Sequence, residues 1–293
     1  MKNKGLTITI VFEAESANYG EGYNNMSILK KLTRGDGNTY SYISRQALRY
    51  NMVEQMGWNN TPVKAMGSGD KKVIQFHPDY TIKEYPEIDL FGYMKTKEKD
   101  EKDSKGAQTR NAVARLSNAI SLEEFKDDMD FLTNMGLANR IENQNNSIAQ
   151  SEIHKSYYSY TVTIDLDRVG IDGEIEIAEE EKKNRVTQLL KVIQYLYRDI
   201  KGRRENLAPV FVIGGIYDRK NPFFENRVKV VQNVLNIQTL QEIIEADEEI
   251  KANTKVGYLN GTFENENDIQ DILQAVTVGE FFKNLIQKVE EEC

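Results

Sequence analysis

Three strand-like segments, far apart in the chain, constrain the fold more than any other feature of the sequence. They are LTITIVF within residues 5–12, YYSYTVTIDLDRVG at 157–170 and APVFVIGGIY at 208–217. One helical pattern follows the first segment, and a second occupies 184–200, where apolar residues recur every three or four positions. The order strand, helix, insertions, strand, helix, strand predicts a mixed α/β (α+β) fold: a ferredoxin-like or RRM-like sheet with helices on one face.

The first helix has a recognisable start. Ser44 is a suitable N-cap, and Leu48, Met52 and Met56 follow it at helical spacing. The sequence therefore predicts a helix from Ser44 whose apolar stripe packs against the sheet.

Two arginines share a face of this predicted helix. Arg45 and Arg49 are four residues apart, and Tyr40, Tyr42 and Tyr50 flank them. Guanidinium groups form forked hydrogen bonds with phosphates, and aromatic rings stack on unpaired bases. The stretch predicts a contact with a polyanion; the alternative is that the arginines pair with acidic residues such as Glu54 and stabilise the subunit.

A second helix is predicted at 121–136. Ser121 and Glu124 have the spacing of a capping box, and Gly136 would end the helix. In contrast, residues 94–106 are almost entirely charged or polar and 139–152 lack any apolar pattern, so both predict exposed loops.

Composition narrows the class of protein. No apolar run approaches the roughly 18–20 residues that span a membrane, and LTITIVF reads as a strand rather than a signal sequence. The single cysteine is residue 293, so no internal disulfide is expected. These observations favour a cytoplasmic protein with one core domain over 1–293.

Charge is spread unevenly along the chain. The formal net charge is −8, yet residues 181–239 hold twelve Lys and Arg against five Asp and Glu, a net of +7. This block includes Arg203 and Arg204, and Arg219 and Lys220. It predicts either a local anion-binding surface or solvated helix faces.

Signals for catalysis or metal binding are weak. With two histidines and one terminal cysteine, a Cys/His zinc site is not expected, and no phosphate-binding glycine motif appears. Asp165 and Asp167 resemble a metal-binding pair on one strand face; the alternative is that they brace the turn near Arg168. His154 is a candidate general base or RNA contact, although a lone loop histidine is more often neither. We predict no cofactor and no metal.

A set of motifs in a fixed order resembles a known family. FEAESANYGEGYNN, YSYISRQALRY, IDLFGYM, NAVARLSNAIS, SYYSYTVTIDLDRVG and LAPVFVIGGIY occur in that order across residues 5–235. Together they resemble the CRISPR-associated Cas-seven family, a branch of the RAMP superfamily, and within it the DevR-like autoregulators of type I-B systems. The acidic part from 240 to 293 carries no such motif.

The resemblance implies a non-catalytic backbone subunit of Cascade, the RNA-guided surveillance complex of antiviral defence. Such subunits have an RRM-like palm, inserted fingers, here about 58–120, and a thumb, here about 136–156. They stack head to tail along the crRNA. The implied partners are the single-stranded guide RNA, the target DNA strand paired to it, other copies of the chain, other Cascade subunits and the recruited helicase-nuclease, with no membrane.

The resemblance and the basic pattern together define the candidate RNA-binding residues: Asn18, Tyr42, Ser44, Arg45, Gln46, Arg49, Arg140, His154, Lys155, Arg203, Arg204, Arg219 and Lys220. These residues are expected to contact the sugar-phosphate backbone of the guide, because base pairing rather than the protein recognises the target sequence.

Two other functions are compatible with the sequence. Type III backbone subunits cleave target RNA with an aspartate after the first strand, and the corresponding stretch here holds Glu15, Glu21 and Asp36 without a clear match. A DevR-type transcriptional regulator is the other alternative, although no helix-turn-helix pattern supports it.

Overall fold

The computed structural model describes residues 4–22, 24–67, 72–96, 107–141 and 146–292. Its strands, in chain order, are β1 Gly5–Ala14, β2 Met26–Ser27, β3 Lys31–Thr33, β4 Thr39–Ile43, β5 Val63–Met66, β6 Val73–Phe76, β7 Tyr93–Lys95, β8 Gln108–Arg110, β9 Ala114–Leu116, β10 Ala119–Ser121, β11 Asp128–Thr133, β12 Ile148–Ile153, β13 Ser156–Asp165, β14 Ile171–Asp172, β15 Ile175–Glu176, β16 Tyr197–Ile200, β17 Arg203–Asn206, β18 Phe211–Tyr217, β19 Val230–Val231, β20 Val234–Leu235, β21 Lys255–Tyr258 and β22 Val276–Thr277. Its helices are α1 Arg45–Met56, α2 Pro86–Phe91, α3 Met135–Ala138, α4 Glu179–Gln194, α5 Ile237–Glu245, α6 Glu248–Asn253, α7 Glu266–Leu273 and α8 Val278–Glu292.

One large sheet organises the chain. Its strand order is β22-β21-β18-β1-β13-β10-β4-β3, with β9 also paired to β13. The three segments that the sequence singled out lie side by side at its centre, and β1 is antiparallel to both β13 and β18. These strands are buried on both sides: the face toward α1 is apolar, as with Ile8 and Val162, whereas the opposite face also carries hydroxyl side chains such as Thr9 and Thr161.

Each face of the sheet has its own apolar core. On one face, Ile8 and Ile10 of β1 pack in a cluster with residues of α1, α4 and α8. On the other, Val11 packs in a cluster with Leu240 of α5 and Ile269 of α7. The expectation of helices on a single face is therefore incomplete, because the C-terminal region covers part of the second face.

The first helix is as predicted. α1 begins after its N-cap Ser44 and ends at Met56, and Leu48 and Met52 are buried. Gly57 ends it in the left-handed conformation, with φ of 68°. The helix predicted at 184–200 ends earlier than expected: α4 stops at Gln194, and the chain then forms the hairpin β16–β17.

The helix predicted at 121–136 is wrong. Ser121 lies in β10 opposite Tyr158, and its hydroxyl donates to the Glu123 carbonyl rather than capping a helix. Residues Asp128–Thr133 form β11, which pairs with β12. Pairing between strands distant in sequence overrides the local capping signal.

The loop predicted at 139–152 is wrong in its last part, because Ile148–Ile153 forms β12, whereas 139–141 and 146–147 lie outside helices and strands. Residues 142–145 of that range lie outside the described residues, as do 97–106 of the charged run predicted as an exposed loop and Cys293. β11, α3 and β12 form a hairpin beside β2, and it overlaps the range expected for the thumb. Small two-stranded sheets, β5–β6 and β7–β8, lie in the range expected for the fingers, but β9 and β10 at its end belong to the large sheet.

A buried carboxylate joins this inserted region to the core. Asp89 of α2 is fully buried and accepts hydrogen bonds from Arg110 at 2.5 Å, Arg185 at 2.8 Å and the backbone N–H of Gly170 at 3.0 Å. Its partners come from β8, α4 and the turn after β13. One carboxylate thus fixes the position of α2, whose last residue, Phe91, reaches the candidate site.

Candidate nucleic-acid interface

The first turn of α1 is held from two sides. The Ser44 hydroxyl accepts from the Ala47 N–H at 3.3 Å and donates to Oδ1 of Asn18 at 2.8 Å. On the other side, the Arg45 N–H donates to Oδ1 of Asn118 at 2.9 Å. These bonds satisfy backbone N–H groups that the start of a helix leaves without partners. They therefore fix the backbone of the first turn, which carries the exposed side chains of Arg45 and Gln46.

A groove of about 430 Å³ runs beside this turn. The groove lies between α1 and β9, and β9 is paired with β13 of the large sheet. The three charged side chains that line it, Arg45, Arg49 and Arg115, are all positive, and Gln46 and Phe91 add a polar and an aromatic surface. The prediction that the two helical arginines share a face is confirmed, since both line this groove.

The three guanidinium groups differ in how firmly they are held. Arg49 lies 3.3 Å from a Glu87 carboxylate oxygen and 4.9 Å from the centre of the Phe91 ring. Arg115 forms two hydrogen bonds with Asp165, at 3.0 and 2.9 Å. The Arg45 guanidinium has no ion pair or hydrogen bond with any residue that the structure describes, so its donors are free for a ligand.

Arg115 and Asp165 shift each other's pKa. Burial works to raise the pKa of Asp165, but the hydrogen bonds and positive charge of Arg115 lower it below its ordinary value. The pKa of Arg115 is raised in turn by Asp165. Asp165 also lies 3.4 Å from Arg168, and Asp167 pairs with Lys220. The turn-bracing interpretation of the two aspartates therefore describes the structure.

Two predicted residues support this region without entering the groove. Asn18 holds Ser44, as described above, and Tyr42 is half-buried in β4 opposite Ile120. Of the neighbouring tyrosines, Tyr50 is exposed, whereas Tyr40 is buried and donates to Asp36 at 2.7 Å. Tyr40 is thus not placed to stack on a base.

His154 is not at the surface. Its ring is 95% buried: Nε2 lies 3.1 Å from the Glu124 carbonyl and Nδ1 lies 2.7 Å from the Ser41 hydroxyl. Burial lowers the pKa of His154, which favours the neutral ring. The structure gives His154 a packing role, so our expectation that it faces RNA needs correction. Lys155 beside it is exposed and forms an ion pair with Glu13.

Both predicted RNA-binding arginines of the hairpin β16–β17, in the basic block at 181–239, are paired with carboxylates. Arg203 pairs with Glu205 at 2.8 Å and with Glu15 at 3.4 Å, and Arg204 pairs with Asp199 at 2.9 Å. Neither arginine lines the α1 groove.

Two further predicted cations are also paired. Arg219 forms ion pairs with Asp247 and Glu249, and Lys220 pairs with Asp167 as noted above. Arg140 is exposed after α3, at the end of the hairpin. An RNA-binding role for these residues stays a prediction, and the structure does not bring them into the groove.

The prediction missed three residues that shape the groove: Arg115, Phe91 and Asn118. All three lie in motifs that the sequence displays, LFGYM and NAVARLSNAIS. Their roles depend on α2 and β9 meeting α1, which no local pattern shows.

The described residues contain no cluster of three or more His, Cys, Asp or Glu side chains arranged to hold a metal ion. Of the acidic residues considered for RNA cleavage, Glu15 pairs with Arg203, Asp36 bonds to Tyr40, and Glu21 is exposed. Across the ranges that the structure gives, no helix has both the length and the apolar character to cross a bilayer.

Comparison with solved structures shows the fold. A chain titled "CRISPR RNA-guided surveillance complex, pre-nicking" aligns with a TM-score of 0.63 at 12% identity, covering 97% of this chain and all of the other. Another, titled "CRISPR RNA-guided surveillance complex", aligns with a TM-score of 0.56 at 14% identity, covering 96% and 99%.

No curated protein matches the sequence. A family model described as "CRISPR-associated negative auto-regulator DevR/Csa2" matches residues 6–235. This match spans most of β1, all of β13 and β18, α1 and the inserted region, and we conclude that the chain belongs to the DevR/Csa2 family of CRISPR-associated proteins.

Proposed function

We propose that this protein is a guide-RNA-binding backbone subunit of a type I-B CRISPR surveillance complex, Cascade. It polymerises head to tail along crRNA in the cytoplasm, and it supports pairing between the guide and target DNA without cleaving either. Membership of the DevR/Csa2 family and structural likeness to chains of surveillance complexes support this proposal. The other Cascade subunits and the recruited helicase-nuclease are its proposed partners.

The central strand order supports an RRM-like palm. Along the sheet the order is β18-β1-β13-β10, with α1 between β1 and β10 and α4 between β13 and β18. Numbered as core strands this is 4-1-3-2, the antiparallel arrangement of ferredoxin-like folds. We assign the inserted hairpins β5–β6 and β7–β8 to the fingers and the β11–α3–β12 hairpin to the thumb.

The groove beside α1 carries the RNA-binding part of the proposal. Three arginines line it, and one, Arg45, has no partner among the described residues. A planar guanidinium binds phosphate oxygens through two parallel hydrogen bonds and reads no base in doing so. The groove therefore has the chemistry needed to hold any guide sequence by its backbone.

Two exposed apolar surfaces support head-to-tail assembly. The β11–α3–β12 hairpin exposes Phe131, Leu137 and Ile141 by about three-fifths of their surface each. A mainly apolar cavity of about 830 Å³ in the finger region is lined by the exposed side chains of Val73 and Ile74, among others, and adjoins the α1 groove at Arg49 and Phe91. Because the two surfaces differ, contact between the hairpin of one copy and the cavity of the next is heterologous and leaves a free surface at each end for a further copy. Such a contact builds a filament wherever the rotation between copies does not close a ring.

The test removes two groove arginines together, in the variant Arg45→Ala/Arg49→Ala. Binding to a labelled single-stranded RNA of mixed sequence is measured by fluorescence anisotropy over a salt series, and Tm is measured in parallel. We expect weaker binding and a shallower salt dependence, because each lost phosphate contact removes about one unit of salt slope.

The matched control is Lys251→Ala/Lys283→Ala, which removes two exposed charges of α6 and α8 that have no ion pair with the described residues. It should bind like wild type. A large fall in Tm of the arginine variant with unchanged RNA binding would show instead that the pair is structural.

The non-catalytic part of the proposal has a separate test. Guide-paired target RNA is incubated with the assembled protein and Mg²⁺ or Mn²⁺, and the products are resolved by length. We expect the RNA to remain intact; regularly spaced cleavage products that Glu15→Ala or Asp36→Ala abolishes would establish the endoribonuclease alternative.

A further inference from the structure

A second polar cavity, of about 370 Å³, lies on the sheet face opposite α1. Polar side chains from three distant parts of the chain line it: Arg34 after β3, Ser159 of β13, and Glu225, Asn226 and Lys229 after β18. Ser159 is paired with Val11, which faces the core that contains α5 and α7. The neighbouring residues Ile10 and Tyr160 point to the opposite face and pack with α1.

Most of these polar groups have no protein partner. The side chains of Ser159, Glu225, Asn226 and Lys229 make no hydrogen bond or ion pair with the residues that the structure describes. Arg34 is held in place, since its guanidinium lies 4.0 Å from the Tyr40 ring centre and donates one hydrogen bond to Ser121. A guanidinium has five N–H donors, so several of them remain available in the cavity.

The lining combines three kinds of surface that match a nucleotide. Leu32, Ile120 and Leu122 provide a partly buried apolar wall against which a flat base can pack. Arg34 and Lys229 supply positive charge for a phosphate. The Glu225 carboxylate would repel a bare phosphate or sulfate but accepts hydrogen bonds from the amino groups of a base, and the Asn226 amide both donates and accepts.

The cavity adjoins the α1 groove. Leu116 lines the groove and the next residue, Ser117, lines the cavity. Arg115 of the groove pairs with Thr163 of β13. Ser159, Thr161 and Thr163 are two residues apart from one to the next, so they lie on one face of β13, and Arg115 lies on the same side of the sheet. A strand that leaves the groove past Arg115 can therefore reach the cavity along this face of β13.

We propose that this cavity binds an unstacked nucleotide of a single strand that also occupies the α1 groove. The inference rests on the proposed RNA-binding function and extends it from the helix start to the opposite face of the sheet. The strand is the guide RNA or the DNA strand paired with it, and the chemistry of the cavity fits a nucleotide of either.

The experiment uses the full chain and two labelled oligonucleotides of one mixed sequence, RNA and DNA. Anisotropy titrations compare wild type with Arg34→Ala/Lys229→Ala and with Lys229→Glu. Lys229 is exposed and has no partner among the described residues, so Lys229→Glu is expected to keep the wild-type Tm, which is measured in parallel. In a second measurement, RNA containing 4-thiouridine is photo-crosslinked to wild type, and the crosslinked peptide is identified by mass spectrometry.

We expect both variants to bind about tenfold or more weakly, because charge-assisted hydrogen bonds are lost, and the crosslink to fall within residues 225–229 or 117–122. A loss confined to RNA assigns the cavity to the guide, and a loss with DNA as well shows that it accepts either strand. The control Lys251→Ala/Lys283→Ala should match wild type.

The two proposals fail in different ways. If wild type binds RNA and Arg45→Ala/Arg49→Ala weakens it, but Lys229→Glu binds normally and no crosslink reaches these segments, only the cavity proposal is overturned. If wild type binds neither oligonucleotide, the proposed function is overturned and this inference with it.

Discussion

Arg49 lies 3.3 Å from the Glu87 carboxylate, whereas Arg45, one turn earlier on the same face of α1, has no such partner in the described part of the chain. Glu87 belongs to α2, whose position is fixed by the buried carboxylate of Asp89. The two arginines are therefore not equivalent: one is held by the protein and the other is free for a ligand.

This difference predicts different results for the two single variants. Arg45→Ala should leave Tm unchanged and weaken RNA binding roughly tenfold, because it removes only ligand contacts. Arg49→Ala should also weaken binding and lower stability by about 0.2–1 kcal/mol through loss of a partly exposed ion pair. Thermal melts and anisotropy titrations of both variants decide; equal loss of Tm in the two would contradict the assignment.

Breaking the buried Asp89 cluster should be far more damaging. Asp89→Asn removes the charge that balances Arg110 and Arg185, both of which are almost fully buried. We expect the free energy of unfolding to fall by about 3–5 kcal/mol in urea denaturation. The matched control, Asp199→Asn, makes the same change in an exposed pair with Arg204 and should leave the unfolding midpoint unchanged. Similar midpoints for the two variants would show that the cluster does not stabilise the fold.

His154 should make stability depend on pH in a defined direction. Burial lowers the pKa of its ring in the folded protein, opposed by the Glu124 carbonyl and the charges of Glu123 and Asp128. The unfolded chain therefore binds the proton more readily than the folded protein. The contribution of His154 to stability thus falls as the pH drops below the ordinary histidine pKa of about 6.5. Urea melts from pH 7 to pH 5 should show wild type losing stability relative to His154→Gln. Parallel pH curves would refute a buried, neutral ring.

Substitutions on the exposed β11–α3–β12 hairpin should impair assembly without lowering the stability of the single chain. Phe131→Glu/Leu137→Glu should keep the wild-type Tm, because both side chains are more than half exposed in the single chain. If the hairpin contacts the next copy, the variant should form shorter oligomers on a long RNA, measured by mass photometry. Tyr195→Glu, an equally exposed aromatic position elsewhere, serves as the control. Oligomers of wild-type length would place the contact between copies on another surface.

Elements whose signals are local were predictable. The Ser44 cap and the buried positions of Leu48 and Met52 mark α1 within one segment, because a cap and a helical stripe depend on residues a few positions apart. The apolar segments within β1 and β18 likewise indicate buried strands without any knowledge of their neighbours. The family motifs carried the assignment that the matching family model confirms.

The partners of the charged residues were decided only by the tertiary structure. Lys220 pairs with Asp167, Arg219 with Asp247, and Arg203 with Glu15, so carboxylates from outside the 181–239 block neutralise part of its charge. The same holds for residues 128–133, where a partner strand overrides a capping signal. The sequence by itself determined which segments are apolar or helical, since these properties are local. Only the fold decided which charges are paired, because an ion pair depends on distance in space. That is why Arg49, Arg203 and Arg219 are paired with carboxylates whereas Arg45 has no partner among the described residues.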